Sequence, residues 1–319
     1  MIKAYCISKY LGEDNKRVIA DTCEKYGYDV TFFENSAEAS GNVSDAEAAY
    51  CNRPELLCQM SRLKWCHADS AGVEKYIQTG MFNDPSVILT NSSGAFGKAI
   101  AEYIIMVALM LLRRMPEYEK ITGSRQWKHD LPIRSIAGSN IVIIGTGDIG
   151  RRAAANFKAL GAASVTGFNR SGRPVEYFDK TYRIDEFTAR AAQADVAVMC
   201  VPSTPDTDKL LDADMIAALP DSAYVINVGR GATVDQEALT RALNDGRIAG
   251  AALDVFQNEP VEKDSGLWDT ENLLITPHIS GNLTLQYTRE RNVEIFLDQL
   301  ERYCTNKELI NVVDCSLGY

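Results

Sequence analysis

Three polar side chains of different chemical types follow three apolar runs in the second half of the chain. They are Arg230, Glu259 and His278, after the runs Tyr224–Val228, Ala249–Val255 and Leu273–Thr276. If these runs are parallel strands, their carboxyl ends share one edge of a sheet, and open α/β sheets bind ligands at that edge. The sequence therefore predicts that a guanidinium, a carboxylate and an imidazole converge there.

These chemical types fit the reduction of a 2-oxo acid. The substrate carboxylate would pair with the planar guanidinium of Arg230 through two parallel hydrogen bonds. The carbonyl oxygen gains negative charge as hydride arrives, so His278 would donate a proton to it and take the proton back in the oxidation direction. Glu259 would bond the far imidazole nitrogen and fix the ring. Asp254 would either accept a hydrogen bond from the nicotinamide amide or orient nearby backbone.

A glycine-rich hexamer directly follows the buried run Ile141–Ile144 and opens a helical pattern. It reads Gly145-Thr146-Gly147-Asp148-Ile149-Gly150. In this setting the spacing predicts a dinucleotide site. Gly145 would permit the tight turn, Gly147 would let the backbone approach a pyrophosphate, and Gly150 would let helix and strand pack closely. The first amides of the helix would bind the anion; a plain strand–helix turn is the alternative.

The residues after the next apolar run, Val165–Phe168, indicate which dinucleotide is bound. NAD sites place an acidic residue about twenty positions after the glycines, on the ribose 2′-OH. Asn169 takes that place here, followed by Arg170 and Ser171. Asn169 would not repel a 2′-phosphate, while Arg170 adds positive charge and Ser171 a hydroxyl donor. We therefore expect NADP(H) as the preferred cofactor and NAD(H) as the alternative. The competing interpretation is that this segment is a solvated surface loop in which the arginines occur by chance and bind no phosphate.

Taken together and in this order, the motifs resemble those of the D-isomer-specific 2-hydroxyacid dehydrogenase family. Asn169-Arg170-Ser171 resembles the NADP-using glyoxylate/hydroxypyruvate reductase branch of that family. The resemblance runs from about residue 60 to the C-terminus. It also rests on Ser70-Ala71-Gly72-Val73, on Asn91-x-Ser93-Gly94 followed by Ala101-Glu102-Tyr103, and on Val201-Pro202-x-Thr204-Pro205-x-Thr207.

The resemblance implies roles at the substrate. Arg230 would bind the substrate carboxylate and carbonyl, and His278 would be the acid/base with Glu259 as its partner. The backbone amides of Ala71 and Gly72 would help to hold the carboxylate.

The resemblance also implies contacts outside the reacting centre. Pro202, Thr207, Asp254 and His278 would lie along the cofactor. The family further implies a homodimer, with the helix near Glu102–Arg114 at its interface.

The length of 319 residues suits two domains better than one core. Apolar runs alternate with helical patterns in both halves, which predicts an α/β protein. We expect two Rossmann-like or flavodoxin-like, doubly wound parallel-sheet domains with an active-site cleft between them. Residues 1–100 and 286–319 would form the substrate-binding domain, and residues 101–285 the dinucleotide-binding Rossmann domain.

Composition makes several other classes improbable. The net charge of −10 disfavours nucleic-acid binding. The most apolar run, Ile104–Leu112, is too short to span a bilayer and predicts a buried helix instead. The 8 cysteines are widely spaced and form no C-x-x-C pair, so we expect reduced thiols, no metal site and a cytoplasmic location.

Glyoxylate and hydroxypyruvate are the substrates that we expect first. A larger branched or aromatic 2-oxo acid is the alternative within the same family. A non-catalytic dinucleotide-sensing protein, similar to a corepressor, is the alternative from a different class, since a fold alone does not establish an activity.

Overall fold

The computed structural model of the protein describes residues 2–51, 53–76 and 81–314. The chain divides into two compact units, which we describe separately. The first unit takes Met1–Phe96 and Asn282–Tyr319, and the second takes Gly97–Gly281.

Strands and helices alternate along most of the chain. In chain order the strands are β1 Ile2–Ile7, β2 Tyr28–Phe33, β3 Ala48–Cys51, β4 Trp65–Ala68, β5 Ile88–Asn91, β6 Asn140–Ile144, β7 Ser164–Asn169, β8 Lys180–Arg183, β9 Val196–Met199, β10 Tyr224–Asn227, β11 Gly250–Leu253 and β12 Leu273–Ile275. The helices are α1 Glu13–Lys25, α2 Ser36–Ala39, α3 Pro54–Leu57, α4 Gly97–Leu112, α5 Met115–Gly123, α6 Asp148–Ala159, α7 Phe187–Arg190, α8 Ala213–Ala217, α9 Gln236–Asn244 and α10 Gln286–Cys304.

The first unit is built on a parallel sheet with the strand order β2-β1-β3-β4-β5. Its core includes α10, which comes from the end of the chain. The ring of Phe296 in α10 stacks on Trp65 of β4, with ring centroids 5.7 Å apart, and contacts Tyr50 of β3 at 4.8 Å. The last long helix therefore completes the core that the first strands begin.

The second unit is built on a parallel sheet with the order β12-β11-β10-β9-β6-β7-β8. From β6 the chain winds outward through β7 to β8, and from β9 it winds the other way to β12. The direction changes between β6 and β9, and ligands bind outside the carboxyl ends of strands at such a point. Ile141, Ile143 and Val196 in these two central strands are fully buried, as a strand covered on both faces requires. The predicted fold class of two doubly wound parallel sheets is confirmed.

Two strands were not predicted, and both lie at sheet edges. β8 reads Lys-Thr-Tyr-Arg and is half-buried or exposed along its length, so it carries no apolar run. β5 contributes Thr90 and Asn91 to the interior of the first unit, where both side chains find hydrogen-bond partners. Polar residues in a strand remove the hydrophobic signal on which strand prediction depends.

The predicted buried helix corresponds to α4. Ile104, Val107, Ala108 and Leu111 are buried at helical spacing. Arg114 takes a left-handed backbone conformation, with φ of 55°, and separates α4 from α5. Pro116 lies in the first turn of α5, where a helix tolerates proline because the missing N–H would have no partner within the helix.

Two other features bear on the expectations from composition. No helix within residues 2–51, 53–76 and 81–314 has the length and apolar character needed to cross a membrane. The cysteines in that part of the chain are free thiols, and Cys315 lies outside the described residues.

Candidate active site

The three predicted catalytic side chains follow adjacent strands of the second unit. Arg230 follows β10, Glu259 follows β11 and His278 follows β12, and these strands are neighbours in one parallel sheet. All three loops therefore leave the same edge of the sheet, as the sequence predicts.

Glu259 and His278 are in direct contact. His278 Nδ1 lies 2.8 Å from Glu259 Oε2, and the other carboxylate oxygen accepts a hydrogen bond of 2.9 Å from the amide of Phe256. The two side chains are 50% and 36% exposed, so both can be reached by a ligand. Because Nδ1 is committed to Glu259, Nε2 is the imidazole nitrogen that can exchange a proton with a substrate.

The backbone around His278 is held by a buried carboxylate. His278 has a φ of 54°, a left-handed conformation that costs a side-chain-bearing residue about 1–3 kcal/mol. Asp254 is fully buried, and its two oxygens accept hydrogen bonds of 2.8 and 2.9 Å from the amides of Ile279 and Ser280. Of the two roles expected for Asp254, orientation of the nearby backbone is the one that these hydrogen bonds support.

A hydroxyl pair extends this support. Thr276 Oγ1 donates a hydrogen bond of 2.6 Å to Asp254 Oδ1 and therefore accepts the one from the Tyr103 hydroxyl, also 2.6 Å long. Burial raises the pKa of Tyr103 to about 12, which keeps the phenol protonated. The sequence alone assigns a role to neither Tyr103 nor Thr276. Thr276 immediately precedes Pro277-His278, and this position beside a candidate acid/base was the only available signal.

The loop that carries Arg230 is closely fitted to its neighbours. Asn227 accepts a hydrogen bond of 3.0 Å from the Gly229 amide and donates one of 2.9 Å to the Arg230 carbonyl. A Cβ atom at Gly231 would lie 1.8 Å from the carbonyl carbon of Phe256, so only glycine fits there. The Arg230 loop thus packs directly on the loop that leads to Glu259.

The three glycines of the hexamer differ in what surrounds them. Gly145 has a φ of 99°, and a Cβ atom at Gly150 would lie 2.0 Å from the Gly145 carbonyl oxygen. At Gly147 the corresponding position meets no atom within 4 Å, so a ligand can approach the backbone there. The amides of Asp148 and Ile149, which open α6, donate no hydrogen bond to other residues of the described chain. This turn fits a pyrophosphate.

The side chain of Asp148 is directed away from that anion site. Its Oδ1 accepts a hydrogen bond of 2.8 Å from Arg152 Nε, and Arg151 lies 3.7 Å away. Its Oδ2 packs so closely on Gly97 that a Cβ atom there would lie at 1.9 Å. The backbone amide of Asp148 is therefore the part of this residue that faces the glycine turn without a hydrogen-bond partner in the described chain.

Asn169 builds the loop after β7. Its Oδ1 accepts hydrogen bonds from the amides of Ser171, at 3.0 Å, and Gly172, at 2.7 Å, and its Nδ2 donates to Thr146 Oγ1 at 3.0 Å. Asn169 is therefore tied both to its own loop and to the glycine turn. Arg170 and Ser171 are exposed on this loop, next to the end of β7.

The loop after β9 is closed by Thr207. Its hydroxyl donates a hydrogen bond of 2.7 Å to the Pro202 carbonyl and accepts one of 2.8 Å from the Thr204 amide. Pro202 follows β9, and the glycine turn follows the neighbouring strand β6. The two loops therefore lie on either side of the point where the strand order changes direction.

The predicted carboxylate-binding turn lies in the first unit, after β4. Ala71 is exposed and Gly72 is half-buried. Neither amide donates a hydrogen bond to another residue within the described ranges. Both N–H groups are therefore available to an anion.

Comparisons with known proteins agree with the geometry. Residues 105–280 match the family model described as D-isomer specific 2-hydroxyacid dehydrogenase, NAD binding domain, and the chain belongs to this family. It is 30% identical over 262 residues to a glyoxylate/hydroxypyruvate reductase A of Arabidopsis thaliana, covering 81% of each chain. It is 30% identical over 261 residues to the hydroxyphenylpyruvate reductase of Plectranthus scutellarioides, again covering 81% of each.

Solved structures give the same family. An NADPH-dependent glyoxylate/hydroxypyruvate reductase of Sinorhizobium meliloti, in complex with NADP and sulfate, superposes with a TM-score of 0.85 at 26% identity over the full length of both chains. The predicted family is confirmed, and the chain is a 2-hydroxyacid dehydrogenase with an NAD-binding domain.

Proposed function

We propose that the protein reduces a small 2-oxo acid, first of all glyoxylate or hydroxypyruvate, to the 2-hydroxy acid with NADPH, in the D configuration where the product is chiral. The observation that carries the proposal is the contact of His278 with Glu259 at the sheet edge that also bears the glycine turn. The two reductases named above for glyoxylate and hydroxypyruvate support the substrate class.

In this proposal the catalytic residues have separate tasks. A nicotinamide cofactor, when bound, supplies the hydride. His278 donates the proton from Nε2 to the substrate's carbonyl oxygen, while Glu259 holds the ring through Nδ1. Arg230 pairs with the substrate carboxylate and stabilises the charge that develops on the carbonyl oxygen. Asp254 acts on His278 through the backbone that it fixes.

The cofactor preference rests on the loop after β7. Asn169 replaces the acidic residue that would repel a 2′-phosphate, and its hydrogen bonds to the loop amides present Arg170 and Ser171 to solvent. A guanidinium and a hydroxyl are suitable partners for a phosphate monoester. We therefore propose that NADPH is preferred over NADH.

A second set of contacts for the substrate carboxylate is proposed on the first unit. The amides of Ala71 and Gly72 donate to no described residue. Two neighbouring N–H groups bind a carboxylate without any charged side chain.

A substrate panel tests the activity. The measurement is the rate of NADPH or NADH consumption with glyoxylate, hydroxypyruvate, a branched 2-oxo acid and 4-hydroxyphenylpyruvate, followed by chiral analysis of the product. We expect the highest kcat/KM with NADPH and one of the two small acids, and a D-configured product from hydroxypyruvate.

Each alternative function predicts a different result in that panel. Preference for 4-hydroxyphenylpyruvate would favour the larger substrate class, in line with the hydroxyphenylpyruvate reductase named above. NADPH binding without turnover of any acid would favour a dinucleotide sensor and contradict the proposal.

We also propose that the protein is a cytoplasmic homodimer. Met106 and Leu109 of α4 are 46% and 36% exposed, and Trp127 is 94% exposed, which leaves apolar surface for a second copy to cover. Sedimentation should give twice the chain mass of 35.2 kDa. Trp127→Ala should weaken the dimer, and a wild-type monomer would contradict it.

A further inference from the structure

Each carbonyl oxygen in the turn from Asp69 to Gly72 of the first unit accepts a hydrogen bond from another group of the protein. The Ser70 carbonyl accepts a hydrogen bond of 3.1 Å from the Ser92 amide. The Ala71 carbonyl accepts one of 3.0 Å from Asn91 Nδ2, and the Gly72 carbonyl accepts one of 2.8 Å from Ser70 Oγ. At the start of the turn, Asn292 Nδ2 donates 2.7 Å to the Asp69 carbonyl.

These hydrogen bonds fix the direction of the free amides. A trans peptide unit is planar, and its N–H points opposite to its C=O. The Ser70 carbonyl shares a peptide unit with the Ala71 amide, and the Ala71 carbonyl shares one with the Gly72 amide. Holding these two carbonyls therefore turns the N–H groups of Ala71 and Gly72 outward together.

Two asparagines from distant elements carry this arrangement. Asn91 lies at the end of β5, is 8% exposed, and binds the Ala71 carbonyl directly. Asn292 lies in α10, is fully buried, and holds the Asp69 carbonyl. The Oδ1 atom of Asn292 also accepts a hydrogen bond of 2.8 Å from the Tyr50 hydroxyl and lies 3.0 Å from Ser92 Oγ. Asn292 therefore also holds Ser92, whose amide donates to the Ser70 carbonyl.

We propose that Asn91 and Asn292 are positioning residues that hold the amides of Ala71 and Gly72 toward the substrate carboxylate. This inference rests on the proposed function, because it assigns those amides to the substrate. Neither asparagine touches the substrate. Each acts by reducing the number of orientations that the turn can take before binding, which lowers the entropic cost of association.

The proposal makes a specific kinetic prediction. Because the turn binds only the carboxylate, loosening it should raise KM for the 2-oxo acid and the inhibition constant of oxalate, about tenfold each. The kcat at saturation and the KM for NADPH should stay within about twofold of the wild type, since proton transfer and cofactor binding do not involve the turn.

The experiment compares three variants of the full-length enzyme. Asn292→Leu removes the hydrogen bond to Asp69, and Asn91→Ala removes the one to Ala71. Gln299→Leu is the matched control, because Gln299 is also fully buried in α10 but bonds the backbone of Ile310 rather than the turn. Steady-state kinetics, oxalate inhibition and thermal denaturation are measured for each.

We expect both asparagine variants to raise KM and the oxalate constant, with Gln299→Leu near the wild type in both. Should Asn292→Leu fail to fold, Asn91→Ala at the sheet edge decides the question. Unchanged constants in a folded asparagine variant, or an equal rise in Gln299→Leu, would overturn the proposal. A wild-type enzyme that reduces no 2-oxo acid would instead overturn the proposed function.

Discussion

The two units present different chemistry at the carboxyl ends of their parallel strands. In the second unit the loops after β10, β11 and β12 carry Arg230, Glu259 and His278, whose side chains supply a guanidinium, a carboxylate and an imidazole. In the first unit the turn after β4 offers backbone amides at Ala71 and Gly72, which any residue possesses. The chemical group of a side chain is known from the residue type. Whether a backbone amide can bind a ligand depends instead on the hydrogen bonds that orient its peptide unit.

We expect this difference to determine how each region responds to mutation. Removing a catalytic side chain removes the chemical group itself, whereas changes near the amides act only through their supports. We therefore expect large losses of kcat from the second unit and smaller losses of substrate affinity from the first.

The largest effect is expected at His278. His278→Ala removes the proton donor, so kcat should fall by about 10²–10⁴-fold while NADPH binding stays close to the wild type. Stopped-flow or steady-state kinetics measures kcat, and a fluorescence titration with NADPH measures the affinity for the cofactor. Near-normal kcat would exclude the acid/base role and remove the contrast between the two units.

A somewhat smaller loss is expected at Arg230. Arg230→Ala should lower kcat/KM for the 2-oxo acid by about 10²–10³-fold, because a charge-assisted pair with the substrate carboxylate is lost. Arg230→Lys keeps the charge but not the planar fork, so it should recover only part of the activity. An Arg230→Ala enzyme with unchanged kcat/KM would show that the carboxylate is bound elsewhere.

A selective effect is expected at Arg170. Arg170→Ala should raise KM for NADPH about tenfold and leave KM for NADH nearly unchanged, since only NADPH carries the 2′-phosphate. Arg183→Ala is a matched control, because Arg183 lies beside Asn169 in the neighbouring strand and is paired with Asp185. Equal effects of Arg170→Ala on both cofactors would contradict the assignment of the phosphate site.

The smallest effect concerns the polar interior beneath the amide turn. His67 is fully buried between Thr90 and Ser92, and burial lowers its pKa to about 3. Below about pH 6.5 the His67 side chain takes up a proton in the unfolded chain but not in the folded protein. The free energy of unfolding is therefore fully retained above that pH and decreases as the pH falls toward 3.

Denaturant unfolding at several pH values between about 7 and 5 measures this contribution. His67→Gln should reduce the slope of stability against pH, by up to about 1.4 kcal/mol per pH unit in the acid range. The same slope in His67→Gln and wild type would rule out a neutral buried imidazole.

The sequence predicts those parts of the fold that depend on local patterns. Apolar runs such as Ile141–Ile144 identify central strands because both faces are buried, and the glycine spacing identifies the helix that follows. β8 carries no such run, since an edge strand of Lys180–Arg183 is largely solvated. Polar side chains on an edge strand limit edge-to-edge pairing between molecules, and they also leave the strand without an apolar run.

The supports of the site could not be predicted, because they join distant parts of the chain. Asn292 binds the Asp69 carbonyl across 223 positions, and Tyr103 binds Thr276 across 173. No spacing rule relates such residues, and only the packing of the folded units brings each pair together. The catalytic, substrate-binding and cofactor-binding roles themselves stay predictions, which the experiments above test.

The most direct test of the central claim is a double-mutant cycle on Glu259 and His278. If the two residues form one acid/base unit, Glu259→Gln in the His278→Gln background should cause almost no further loss of kcat/KM, although Glu259→Gln alone lowers it. Losses that multiply, so that the double variant equals the product of the single effects, would contradict the account.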